Sequence, residues 1–384
     1  MRATLWFTII LAFIGVSYLH AQANEPPVLT IRKGDKITVA VDRLPGDIGK
    51  ILQRDLEIAG SFTIAPSASA SYVLSANGSA GNFSGSVADR TGSTVLSKKY
   101  SGQPRHSVHQ FADDIVETLI GRPGIATSKI AFVSTRSGAK EIYTCDYDGE
   151  GLQQLTRDNN ISVGPSFSPD GRLLAYTGYK SGYADIYLVN TSNGSRNRIV
   201  KFPGTNTGPA FSPDSNRIAC TVSKDGNPEL YVLSASGGGA RRLTKTRGVE
   251  SSPTWSPDGS QIIYVSDDAG SPQLYQISAS GGTPRRLPTG QRYNTEPNWS
   301  PDGKQVVFST RQGGGFAVAI HDLTTGSTRV LNTGGSAEDP VWGANSRHII
   351  FSQGSNLHLM DVVTGQKLVI VSGFGKVSEP TWTR

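Results

Sequence analysis

From about residue 129 onward, apolar residues fall in short runs that alternate with polar ones, and Gly, Pro, Ser, Asn and Asp separate the runs. Residues 162–201 show the unit. A first strand over 162–168 meets the turn Ser168-Pro-Asp-Gly171, in which proline presets φ, aspartate bonds the local backbone and glycine accepts a positive φ. A second strand follows over 172–177, a turn over 178–183 and a third strand over 184–190. After 191–195, a fourth strand spans 196–201. Ile186 and Leu188 keep the period of two expected of a sheet with packed faces. The same four parts recur over 206–245, 250–289 and 294–333, and less regularly over 337–372. Tyr143, Tyr187, Tyr231 and Tyr275 hold one third-strand position.

The first strands carry the repeat most clearly. They read Pro165-Ser-Phe-Ser-Pro-Asp-Gly171, Pro209-Ala-Phe-Ser-Pro-Asp-Ser215, Pro253-Thr-Trp-Ser-Pro-Asp-Gly259 and Pro297-Asn-Trp-Ser-Pro-Asp-Gly303. A worn copy reads Pro340-Val-Trp-Gly-Ala-Asn-Ser346. Their prolines step by 44, 44, 44 and 43 residues, the spacing of a β-propeller with one four-stranded blade per repeat. Residues 129–156 supply strands two to four of a further blade, and Glu379 to Thr383 offers its missing first strand. The expected fold is an all-β six-bladed propeller, closed by a C-terminal strand that removes the open edges. First strands line the channel of such a ring. One mouth is then expected at Val163-Gly164, Thr207-Gly208, Ser251-Ser252, Thr295-Glu296, Glu338-Asp339 and Ser378-Glu379, with the Ser-Pro-Asp-Gly turns on the opposite face.

The chain before the propeller is organised differently. Asp47 to Ala59 places Ile48, Ile51, Leu52 and Leu56 on one helical face before Gly60. A second helix, from about Arg105 to Ile120, turns Val108, Phe111, Ala112, Ile115, Val116 and Leu119 inward and ends at Gly121. Between them, Phe62 to Ala65, Tyr72 to Ser75, Phe83 to Ala88 and Val95 to Tyr100 read as strands. Residues 24–124 are thus expected to form a small α/β (α+β) domain, and 125–384 the propeller. Residues 1–23 read as a cleaved secretory signal: Arg2, the apolar stretch Leu5 to Val16, and the small-x-small site Ala21-Gln22-Ala23. That stretch is shorter than the roughly 20 residues a membrane span needs. The expected location is therefore outside the cytoplasm, without an integral membrane segment.

Composition narrows the function classes. The formal net charge of +6 is mild and its cations are scattered, whereas a nucleic-acid binder needs a concentrated basic face. Cys145 and Cys220, on different blades, are too far apart to bridge and are expected as buried free thiols. No serine sits in a Gly-x-Ser-x-Gly elbow. His321, His348 and His358 fall on second or third strands, away from the channel, where catalytic groups would have to converge. His106 and His109 are expected at the surface. Asp170, Asp214, Asp258 and Asp302 each serve a separate turn, so no metal site and no cofactor is expected. Channel carboxylates Glu296, Glu338, Asp339 and Glu379 alone motivate an alternative reading, a propeller hydrolase or lyase acting on envelope glycans. A secreted ligand-binding propeller is a third.

A small α/β domain followed by six blades of Pro-x-(Phe/Trp)-Ser-Pro-Asp-Gly resembles the TolB family, periplasmic components of the Tol-Pal envelope system. The resemblance is close at Phe202-Pro-Gly-Thr-Asn-Thr-Gly-Pro-Ala-Phe-Ser-Pro-Asp214, at Asn294-Thr-Glu-Pro-Asn-Trp-Ser-Pro-Asp-Gly303 and at Lys129-Ile-Ala-Phe-Val133. It implies a non-enzymatic, monomeric adaptor that binds the peptidoglycan-associated lipoprotein Pal at a propeller mouth and supports outer-membrane integrity and constriction at division. The implied Pal contacts are Thr205, Asn206 and Gly208, then Glu250, Ser251 and Ser252, with Thr295 and Glu296 next around the ring. The family also engages the inner-membrane protein TolA through its mature N-terminus, here Asn24, Glu25, Val28 and Leu29. The chain departs from the family pattern at Thr205, where a histidine is familiar, and at Ser251-Ser252, where Thr-Glu is usual.

Overall fold

The computed structural model describes residues 36–383, which lie in one compact unit. The N-terminal layer is a five-stranded mixed sheet. It comprises β1 (Ile37–Ala40), β2 (Phe62–Ile64), β3 (Tyr72–Ser79), β4 (Asn82–Asp89) and β5 (Thr94–Ser101), in the spatial order β2-β1-β3-β4-β5. Strand β1, for which the sequence reading makes no provision, runs parallel to both its neighbours and joins the two halves of the sheet. Helices α1 (Gly46–Ile58) and α2 (Pro104–Ile120) cover one face. Gly121 ends α2 in the left-handed region at φ 72°.

The core between sheet and helices includes Leu52, Leu56, Leu74, Val87, Phe111 and Ile115. Phe83, Tyr100 and Phe111 form a ring cluster with centroids 5.1–5.8 Å apart. Gly85 makes that cluster possible, because a Cβ there would sit 2.9 Å from the Phe111 ring.

Six four-stranded blades follow. Blade 2 has strands Ser162–Phe167, Leu173–Gly178, Asp185–Asn190 and Arg196–Val200, and blades 3 to 6 repeat this order. Blade 1 takes Lys129–Ser134, Glu141–Asp146 and Gln153–Gln154, and its first strand is Val377–Trp382 from the far end of the chain. The closure is antiparallel, with Val377 opposite Ser134 and Trp382 opposite Ile130. Between blades, alternate side chains of facing sheets interdigitate, as in the cluster of Ala175, Ile186, Ile218, Cys220 and Tyr231. Cys145 and Cys220 are buried free thiols, and burial pushes both up to about 12.

The turns behave as their composition requires. In each intact copy the serine hydroxyl donates to the aspartate two residues on, and a backbone N–H beyond the turn donates to the same carboxylate (Ser168, Asp170 and Arg172 in blade 2). The worn copy in blade 6 has a packing cause. Gly343 takes the serine position, and a Cβ there would lie 2.3 Å from the Trp382 ring of the closing strand. The Trp382 indole N–H donates to the Trp342 carbonyl at 2.5 Å.

The N-terminal layer packs on the turn face of blades 6 and 1. His348 Nε2 donates to the Ile58 carbonyl at 2.9 Å, while its Nδ1 accepts from Asn345. Arg347 links Ser61 to Asp361. Beside blade 1, Asp55 accepts from both Tyr147 and His109, and Asp148 pairs with Arg105. His109 is therefore not a surface residue. It is 2% exposed, because its helical face turns into this seam, whereas His106 one turn earlier stays exposed.

Candidate functional site: the channel mouth

Each first strand carries a bulge at its repeat proline, visible as a register shift against the second strand. The residue before the proline is left-handed in all six blades: Gly164, Gly208, Ser252, Glu296, Asp339 and Glu379, with φ between 51° and 60°. Four of these are not glycine, and holding them there costs energy that the surrounding sheet must supply. The six residues ring a mouth chamber of about 190 Å³ whose floor is a collar of Pro165, Pro209, Pro253, Pro297, Pro340 and Pro380. Below the collar a second chamber of about 180 Å³ is lined by Phe167, Phe211, Trp255, Trp342 and Trp382. The repeat proline thus forms the waist of the channel.

The carboxylates of the mouth are turned sideways, from blade to blade. Glu296 Oε2 accepts from Ser309 Oγ at 2.6 Å and from the Asp339 N–H of the next blade at 3.0 Å. Asp339 Oδ2 accepts from Ser352 Oγ at 3.0 Å and from the Glu379 N–H at 2.9 Å. Glu379 Oε2 accepts from the Gly164 N–H at 2.6 Å. In blade 2, where Gly164 takes this place, the hydroxyl serves directly, and Thr177 Oγ1 accepts from the Gly208 N–H at 3.1 Å; in blade 3 the equivalent Thr221 hydroxyl donates to the Glu250 carbonyl instead. Burial, then the Asp339 charge, pushes Glu296 up to about 8 and raises Glu379. Glu338 lies outside the chamber wall, and burial and Asp339 raise it too. These acids stitch blades 5, 6, 1 and 2 together.

The eight residues expected at the Pal contact separate into three groups. Gly208, Ser252 and Glu296 line the chamber, with Ser251 and Thr295 one residue outward. Thr205 is exposed on the rim, where its N–H donates to Ser223 Oγ. Asn206 and Glu250, by contrast, are 0% exposed. Asn206 Nδ2 donates to Ala184 and Phe202 carbonyls, and Glu250 Oε1 accepts from Thr246 and Ser266. Loops and strands that meet at the blade junctions enclose both, so neither side chain is exposed on the rim. The reading of the sequence passes over Ile161, Tyr183 and Val249, which are 42%, 73% and 44% exposed on loops of the same rim. An apolar residue in a loop, outside the alternating strands, is the signal that would have found them. Asn24, Glu25, Val28, Leu29 and the signal segment lie outside the described residues.

Among the described residues no three His, Cys, Asp or Glu side chains are grouped to hold a metal ion, and no helix is long and apolar enough to cross a membrane. The mouth offers a collared apolar cup, hydrogen-bond acceptors already engaged by neighbouring blades, and a rim of exposed loops.

A family model described as the TolB beta propeller domain matches residues 116–384. The Tol-Pal system protein TolB of Geobacter metallireducens is 37% identical over 212 residues, 44% of this chain and 49% of that protein. The protein TolB homolog of Chlorobium luteolum is 52% identical over 86 residues, 22% of this chain and 20% of that one. The chain thus matches about half or less of the length of these curated relatives. Among solved structures, TolB from Acinetobacter baumannii superposes with a TM-score of 0.80 at 26% identity, covering 91% of this chain and 97% of that one.

Proposed function

Because the chain belongs to the TolB β-propeller family, we propose that it is a non-enzymatic periplasmic adaptor of the Tol-Pal system that holds a Pal-like lipoprotein at its channel mouth. The observation that carries this reading is the mouth itself. Six left-handed residues and a proline collar shape a rigid cup, and one oxygen of each of the carboxylates Glu296, Asp339 and Glu379 on its wall is engaged in joining blades. A hydrolase or lyase needs an acid and a base free to exchange protons with a bound substrate; here three of the four candidates, Glu296, Asp339 and Glu379, accept backbone N–H groups of the next blade, and Glu338 lies outside the chamber wall.

The contact set on this reading is Thr205, Gly208, Ser251, Ser252, Thr295 and Glu296. The first 35 residues would carry the secretory signal and the arm engaging a TolA-like inner-membrane protein, through Asn24, Glu25, Val28 and Leu29. Capture of the soluble domain of the cognate Pal-like lipoprotein by the mature chain tests the main claim. The double variant Thr205→Arg/Ser252→Arg, which places two long cations across the cup, is expected to lower capture at least tenfold. Undiminished capture would remove the mouth as the site.

A further inference from the structure

The loops at the two ends of the propeller differ in charge: the turn face is mixed, with exposed Arg172 and Lys304 among its acids, and the mouth end of blades 1 to 4 carries more cations. On the turn face, Asp170, Asp214, Asp258 and Asp302 are all exposed. At the mouth end, every loop that joins a fourth strand to the next first strand from blade 1 to blade 4 carries exposed cations: Arg157, Lys201, Lys245 with Arg247, and Arg292. Lys140 and Lys180, on the loops between second and third strands, add to them. Lys180 is compensated by Asp158 at 3.3 Å. The side chains of Lys201, Lys245 and Arg247 have no carboxylate partner among the described residues. A charge distribution that looks scattered along the sequence is gathered by the ring into one arc of mainly basic loops, in which Asp225 pairs with Lys224 and Asp268 accepts from the Arg247 backbone N–H, beside the neutral half of the mouth formed by Gly164, Gly208 and Ser252.

We propose that this arc, from blade 1 to blade 4, is the docking surface for an acidic protein face, the partner's carboxylates meeting Lys201, Lys245 and Arg247 while an uncharged segment enters the cup. This rests on the mouth reading above and adds the chemistry of the partner. Ile161, Tyr183 and Val249 stand exposed among the cations, and amphipathic or apolar side chains between charges are what a specific protein interface buries. An anionic lipid surface fits less well: pressed flat on this end, it would bring headgroup charge against Asp339 and Glu379 across the same opening. Rim charges of this kind act mainly on the approach of the partner, so their signature is kinetic and depends on salt.

Association of the soluble Pal-like lipoprotein domain with the mature chain is to be followed across ionic strength. The variant Lys201→Glu/Lys245→Glu/Arg247→Glu is expected to associate at least tenfold more slowly at low salt, with dissociation nearly unchanged and the difference lost at about 1 M salt. The turn-face control Arg172→Glu/Lys304→Glu is expected to match the wild type. If the triple variant associates at the wild-type rate, or the control slows equally, the basic arc is not the docking surface. Capture of wild type but not the triple variant by phosphatidylglycerol vesicles, with lipoprotein association unchanged, would assign the arc to membrane instead and overturn the proposal. Failure of wild type to bind the lipoprotein domain at any salt would bring down the mouth reading itself, and this inference with it.

Discussion

At the scale of single residues, the mouth acids show how position overrides residue type. Glu296, Asp339 and Glu379 look like channel chemistry in the sequence, yet a left-handed backbone and the pleat aim each at the next blade. Glu296 carries a testable pH dependence. Its folded value is raised from 4.5 to about 8, so it favours the protonated form. The stability it confers is complete below about pH 4.5 and is lost as pH rises through about 8. Glu296→Gln keeps an acceptor for Ser309 and Asp339, and thermal melts of this variant between pH 6 and 9 should be flatter than those of wild type. A wild-type slope retained in Glu296→Gln would show that another group titrates. Gly85 is the second sharp case. Gly85→Ala puts a methyl group 2.9 Å from the Phe111 ring and is expected to cost about 1–3 kcal/mol in denaturant unfolding.

Elements tell more through their junctions than their interiors. Strands and helices were nearly all legible, because alternation and amphipathic spacing are local signals. Strand β1 was not: four residues, Ile37–Ala40, are too few to show a period, and only pairing with β2 and β3 makes them a strand. The closing strand is the element on which the ring depends. Trp382→Ala empties the space that Gly343 is shaped to leave, and a loss of roughly 3–5 kcal/mol is expected by chemical denaturation. The seam between the α/β layer and the propeller should respond to acid. Burial lowers His348 from 6.5 to about 4, so its contribution is complete above about pH 6.5 and is lost as pH falls through about 4. Hydrogen-exchange protection factors of α1 and of the blade 6 turn should fall together over that range. In His348→Ala the protection should be lower at neutral pH and less sensitive to acid.

For the whole molecule, closure into a ring turns a linear repeat into two unlike faces. Blade number and blade boundaries follow from a 44-residue period, since each repeat builds most of its sheet ladder within one blade, and the strand Val377–Trp382 completes blade 1. The mouth was likewise placed by register, because the residues before the repeat prolines can only ring one end. Three things came from the tertiary structure alone. Asn206 and Glu250 are buried, since burial depends on the neighbouring blade and not on strand position by itself. His109 is sealed into a seam that joins residues 55, 109 and 147. The cations of blades 1 to 4 share one arc, because residues 44 apart in sequence become neighbours when blades stand side by side. A sequence specifies local geometry through short-range sterics and alternation. Which side chains meet across blades, and which remain to face a partner, is decided only when the ring closes.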